Sequence, residues 1–186
     1  MGHFNYARHL GVLGAATVAL FLLQYWNLLG GSLLVSFALN GALHALSLSI
    51  ALRSSQSILR KLAFIGLAAA ICVFTMYVGI VGLVLFAVVP GNERLYLVLG
   101  LCSLTGAITY GSLIRMFWIR KLSPRSILAM AFLCLLATSL GFFVRAYSEA
   151  LGGWWLAAVW WFAFSGGLWY FDTHPDSLRH SKYNGA

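Results

Sequence analysis

An all-α polytopic membrane protein, six transmembrane helices with both termini in the cytoplasm, is the fold class this chain predicts, and three observations predict it. The first is composition. Of 186 residues, 61% are hydrophobic and 9% charged, and a mean hydropathy of +0.88 leaves too little polar surface to face water. The second is spacing. Six nearly uncharged segments begin near Leu10, Gly31, Leu62, Leu95, Ser126 and Gly153, and about 20 apolar residues in a helix cross roughly 30 Å of hydrocarbon. The third is alternation of charge. Arg53, Arg60 and Lys61 follow the second segment, and Arg115, Arg120, Lys121 and Arg125 follow the fourth. The connections after the first, third and fifth segments hold no charge or one balanced pair, Glu93 with Arg94 and Arg145 with Glu149. Short Lys/Arg-rich loops stay on the cytoplasmic side.

The first span is expected at about residues 10–29. It runs too far for a secretory signal and lacks a small-x-small cleavage site, while Tyr25 and Trp26 suit the interfacial aromatic belt. The turn around Gly30 and Gly31 is short enough to make the first two helices antiparallel neighbours. The second span, 31–52, returns to Arg53. The third, 62–89, is longer than a bilayer needs and stops at Pro90. The fourth, 95–119, carries Arg115 inside its cytoplasmic end, where the side chain snorkels to the interface. Pro124 opens the fifth, 126–146, and the sixth occupies 153–171. A polar tail, 172–186, completes a single transmembrane domain. All three prolines (Pro90, Pro124, Pro175) fall at helix ends, so none marks the mid-membrane break that transporters use for binding.

Charge and cysteine usage exclude several classes. The net charge of +8 follows from topology and from proximity to anionic headgroups, each basic residue being worth about 1 kcal/mol near such a surface; no nucleic-acid partner is expected. Cys72, Cys102 and Cys134 lie one to a segment with no CxxC pair, which suits small apolar residues in helices rather than redox chemistry. The four acids, Glu93, Glu149, Asp172 and Asp176, lie at or beyond helix ends, away from the positions that proton-coupled carriers and intramembrane hydrolases use. There is no phosphate-cradling loop and no clustered metal-ligand spacing. Enzyme activity, a metal and a cofactor are not expected.

The polar face of the second span is the leading candidate site. Ser36, Asn40, His44 and Ser47 fall within an arc of about 80° on a helix. His44 lies nine residues before Arg53, about 13 Å along the axis, and an intramembrane ionisable residue is a functional candidate because its polar atoms must find partners away from lipid. The competing account is structural: a neutral histidine bonded across helices for roughly 0.6 kcal/mol per contact. Haem held by two histidines would need a second imidazole at similar depth, and His3, His9, His174 and His180 are all expected at the cytoplasmic edge.

Segment four presents Gly100, Ser103, Gly106 and Tyr110 on one face and Thr105, Thr109 and Ser112 on another, an arrangement suited to a helix between neighbours. Small-xxx-small spacings at Ala15 to Ala19, Gly66 to Ala70 and Thr75 to Gly79 are expected to pack inside the bundle. Segment six holds five of the seven tryptophans. Trp160 and Trp161 fall near mid-depth, where an indole N–H needs an acceptor.

Two functional expectations follow. One is a non-catalytic membrane subunit, in a homo-oligomer or with other protein subunits, that relays a membrane event through basic loops; Arg53, Arg60, Lys61, Arg115, Arg120, Lys121 and Arg125 would contact the partner or lipid headgroups. The other is a small-solute binding or transport protein with a ligand pathway past Asn40, His44, Ser47, Thr109, Trp160 and Trp161. In length and span number, though in no motif, the chain resembles the substrate-binding subunits of bacterial vitamin importers. A pore-forming oligomer is a third expectation. Short loops and strong charge alternation suit a bacterial inner membrane.

Overall fold

The computed structural model describes residues 5–25, 32–51, 57–119, 121–146 and 153–174. These form six helices and no strand: α1 (Tyr6–Tyr25), α2 (Leu33–Ala51), α3 (Ile58–Leu85), α4 (Gly91–Phe117), α5 (Pro124–Ala146) and α6 (Gly153–Thr173). Four stretches among the described residues are long and apolar enough to cross a membrane, Tyr6–Leu23, Ile58–Leu85, Gly91–Phe117 and Pro124–Val144, with a shorter apolar stretch at Leu34–Ile50. That composition is compatible with an integral membrane protein.

Local chemistry sets the boundaries, and it moves several of them from their expected places. α3 begins four residues early because Ser57 caps it, its hydroxyl accepting from the Arg60 N–H at 3.3 Å. Arg60 and Lys61 therefore stand inside the first turn of a helix rather than in a loop. α3 ends at Leu85, ahead of Pro90, and Gly91 (φ +59°) takes a left-handed conformation, which favours glycine. α4 starts there, four residues before the expected point. Arg94 turns back across this corner and donates to the carbonyls of Ala87 (2.7 Å) and Val89 (3.1 Å). Its guanidinium is thus occupied in closing the α3–α4 turn. Pro124 stands at the first position of α5, where its missing N–H costs nothing, and the Ser123 hydroxyl accepts from the Ser126 N–H at 3.0 Å. Glu149 and the turn around Gly30 lie outside the described residues.

Each helix packs against the next in sequence, and α6 closes back on α1 to complete a ring of six. The middle is solid. Leu13, Phe64, Tyr110, Ile114, Met130, Cys134, Phe164 and Leu168 meet there with almost no exposure. Two glycines permit the tightest approaches: a Cβ on Gly41 would stand 2.6 Å from the Ala68 carbonyl oxygen, and one on Gly167 would stand 2.9 Å from the Met130 side chain. Of the three small-xxx-small spacings, only Thr75 to Gly79 faces inward, with Gly79 against the Cys102 sulfur. Gly66 and Ala70, like Ala15 and Ala19, are exposed, because the ring turns those faces of α3 and α1 outward.

The surface is inverted relative to a water-soluble bundle. Val84, Leu85, Phe132, Leu136 and Leu140 are exposed, each by more than half, while His9, His44, Ser47, Ser103 and Ser165 are buried. Large apolar side chains cover much of the outside, and a group of polar ones is enclosed within the apolar core.

Candidate functional site

Four helices contribute to one buried polar cluster. α2 supplies His44 and Ser47, one turn apart on its inner face, as the sequence pattern requires. α4 supplies Tyr110, α6 supplies Ser165, and α1 supplies His9. The two imidazoles converge on a single hydroxyl: the Ser165 oxygen lies 2.8 Å from His9 Nε2 and 3.3 Å from His44 Nε2. His44 Nδ1 lies 2.8 Å from the Tyr110 hydroxyl, and His9 Nδ1 lies 3.2 Å from the Ser47 hydroxyl. Ser47 in turn donates to the His44 carbonyl at 2.7 Å.

Donor inventory fixes where the protons go. Ser47 has one hydroxyl proton, and the carbonyl can only accept, so the Ser47 oxygen accepts from His9 Nδ1–H. A neutral His9 then has a bare Nε2, which accepts from the Ser165 O–H. Ser165 accepts from His44 Nε2–H, and the bare Nδ1 of His44 accepts from the Tyr110 phenol. The chain runs in one direction: Tyr110 to His44 to Ser165 to His9 to Ser47 to the His44 carbonyl. The reverse order would leave the Tyr110 proton, in a side chain 1% exposed, with no acceptor among the hydrogen bonds of the described residues. A buried donor left so costs about 1–3 kcal/mol.

A second set of bonds surrounds the cluster. Trp161 lies flat on His44, ring centroids 3.8 Å apart, and its indole N–H donates to Asn40 Oδ1. Trp160 donates to the Ser103 hydroxyl at 3.1 Å, and the Thr138 hydroxyl, which donates to the Cys134 carbonyl at 2.8 Å, lies 3.2 Å from the same Ser103 oxygen. The two mid-segment tryptophans thus find the acceptors their indoles require, both on other helices.

Of the residues the sequence nominates, the fold brings together Asn40, His44, Ser47, Trp160 and Trp161. Thr109 is not joined to them by its hydroxyl, which bonds the Thr105 and Gly106 carbonyls of its own helix at 2.7 and 3.2 Å. His9 departs from expectation: it is fully buried at the level of His44, not at an edge. Arg8 suggested an edge, yet α1 begins at Tyr6, and His9, Leu13 and Leu20 form an inward stripe at helical spacing. That stripe was the available signal. Tyr110 was visible as part of a small-residue face, and Ser165 was marked only by Gly166 and Gly167 beside it, which keep that stretch of α6 slim.

The basic residues divide. Arg60 donates to the Phe117 carbonyl at 2.8 Å, capping the end of α4, and its guanidinium stands 5.7 Å from the Phe117 ring centre. That bond fixes the start of α3 beside the end of α4. Arg115, Lys121 and Arg125 are exposed near this end and Lys61 is half-buried; Arg53 and Arg120 lie outside the described residues. Among the described residues no group of three or more His, Cys, Asp or Glu side chains is placed to hold a metal ion.

No protein-family model matches the chain, and the curated proteins and solved structures compared with it yield no match either.

Proposed function

We propose that the chain is an integral membrane protein, in a bacterial inner membrane, whose six helices all cross the bilayer with both ends in the cytoplasm. It acts as a non-catalytic subunit that assembles with itself or with partner proteins and presents its basic residues to the cytoplasm. The observation that carries the membrane reading is the inverted surface: exposed Val84, Leu85, Leu136 and Leu140 around buried His9, His44 and Ser165. Lipid accepts the first set, and only bonds inside the bundle satisfy the second. The clustering of Arg115, Lys121 and Arg125 near one end supports cytoplasmic presentation, since such residues are retained on that side.

The solute-pocket reading is less well supported. Both nitrogens of His44 and the indole N–H groups of Trp160 and Trp161 are engaged by neighbouring side chains, which leaves these atoms no spare valence for a ligand.

Two experiments test the proposal separately. Single cysteines at Ser57 and Lys121 should resist a membrane-impermeant thiol reagent applied from outside intact cells, whereas one at Asn92 should react; the opposite pattern overturns the threading. Replacing Arg115, Lys121 and Arg125 by glutamine, with topology unchanged, should reduce recovery of the native complex in mild detergent. Mass spectrometry of that complex, showing a lone chain both before and after the change, would sink the subunit reading.

A further inference from the structure

We infer that the basic end of the α3–α4 seam holds an anionic phospholipid, its phosphate on the Arg60 guanidinium and an acyl chain laid over Leu67 and Met116. The inference rests on the membrane reading above and deepens it, and it is independent of docking to a partner protein.

Arg60 is a cation whose hydrogen bonding leaves its charge unanswered. It stands partly buried in the first turn of α3, and among the described residues its guanidinium bonds an uncharged carbonyl, that of Phe117 at 2.8 Å. A guanidinium carries five N–H donors, so most of the fork is unfilled. The bond to Phe117 and the Phe117 ring, 5.7 Å away, hold that fork in place, which leaves little order to impose when an oxyanion binds. A planar guanidinium so positioned suits two oxygens of one phosphate.

Charge at this end is one-sided. Lys61 follows Arg60, Arg115 is exposed in the last turn of α4, and Lys121 is exposed in the turn beyond it. Of the carboxylates on described residues, Glu93 lies at the opposite end of α4, about 36 Å from Phe117 by helical rise. Asp172 lies on α6, which packs chiefly against α5 and α1.

The surface beside the fork selects the kind of anion. Arg60, Ala63 and Leu67 are spaced i, i+3 and i+7, which puts them on one face of α3, and Ala63 and Leu67 are exposed. Met116, next to Phe117 on α4, is 60% exposed. A free phosphate or an acidic peptide gains nothing from these aliphatic side chains. A ligand with a phosphate at one end and hydrocarbon at the other meets both surfaces, and basic recesses between membrane helices bind such headgroups.

The test uses the full chain in detergent micelles with equal amounts of phosphatidylglycerol and phosphatidylcholine of identical acyl chains. After gel filtration into detergent alone, mass spectrometry counts each lipid kept per protein. Phosphatidylglycerol should be kept about fivefold or more over phosphatidylcholine, as one or more basic side chains at the headgroup would give. Arg60→Lys keeps the charge without the fork and should lower that ratio about threefold or more. Met116→Glu leaves the Arg60 cap on Phe117 in place, supplies a carboxylate beside it, and should lower the ratio likewise. Arg8→Gln removes a cation from α1, outside the seam, and should leave the ratio unchanged. Elution with inorganic phosphate, compared with chloride at equal ionic strength, should displace no lipid. Equal retention of the two lipids overturns the site, as does a ratio indifferent to both seam variants or lowered as far by Arg8→Gln. Displacement by inorganic phosphate overturns the lipid assignment in favour of a soluble phosphate. Thiol labelling reads threading and does not depend on lipid charge, so the membrane reading and the lipid site can fail separately.

Discussion

The imidazole of His44 lies face to face with the indole of Trp161, the planes 15° from parallel and the centroids 3.8 Å apart. The contact joins α2 to α6 through the centre of the ring, and the Trp161 N–H extends it to Asn40 one turn away from His44. Position on the helix, stack and hydrogen bond fix the orientation of His44 before its own nitrogens make any bond.

Trp161→Phe keeps an aromatic face against His44 and removes the bond to Asn40. It should cost about 1 kcal/mol, the net worth of one such bond. Trp161→Ala also opens a cavity and should cost about 3–5 kcal/mol. Thermal unfolding in detergent, followed by circular dichroism, separates the two; equal losses would deny the stack any role.

Tyr110→Phe removes the side-chain donor that His44 Nδ1 has among the described residues. A buried acceptor left bare costs about 1–3 kcal/mol. Thr109→Val, one residue earlier, should change stability by no more than about 0.5 kcal/mol, because the Thr109 hydroxyl bonds, among the described residues, to carbonyls of its own helix. Melting both variants side by side checks whether the cluster, rather than segment four generally, carries the stability.

Gly41→Ala sets a methyl group 2.6 Å from the Ala68 carbonyl oxygen and 2.7 Å from the Cys72 sulfur. Backbone cannot step aside as a flexible side chain does, so α2 and α3 must separate, at about 1–3 kcal/mol. Gly66→Ala meets no atom within 4 Å and should be neutral or stabilising by up to about 1 kcal/mol through helix propensity. The yield of monodisperse protein and its melting temperature should move in opposite directions for the two changes.

Arg94→Gln loses the guanidinium bonds to Ala87 and Val89. The corner is partly exposed, so the cost should be near 1 kcal/mol rather than the sum of two charged bonds. Faster amide exchange at residues 86–91, with the far ends of α3 and α4 unchanged, is the expected signature. Glu93→Gln should leave that exchange as it is.

Much of this arrangement could be read without coordinates. The number of helices and their order along the chain follow from apolar length, which is a local property. The inward face of α2 follows from helical spacing, and the need of Trp160 and Trp161 for acceptors follows from indole chemistry. Helix starts were harder to place: Ser57 caps α3 and Gly91 opens α4, so Arg60, Lys61 and Arg94, charged residues that resemble loop, stand in first turns.

The linear chain determined that apolar helices would pair in sequence and that a few polar side chains within them would need one another. Tertiary packing decided which ones met. His9, His44, Tyr110 and Ser165 come from four helices and as many as 156 positions apart, and the ring's closure of α6 on α1 brings the first and last of them into register. Helical periodicity gives the face a residue occupies, but the partner on the opposite face depends on how deep each helix sits and how closely glycines such as Gly41 and Gly167 let the neighbours approach. Those quantities arise from all six helices packing at once, and no single segment encodes them.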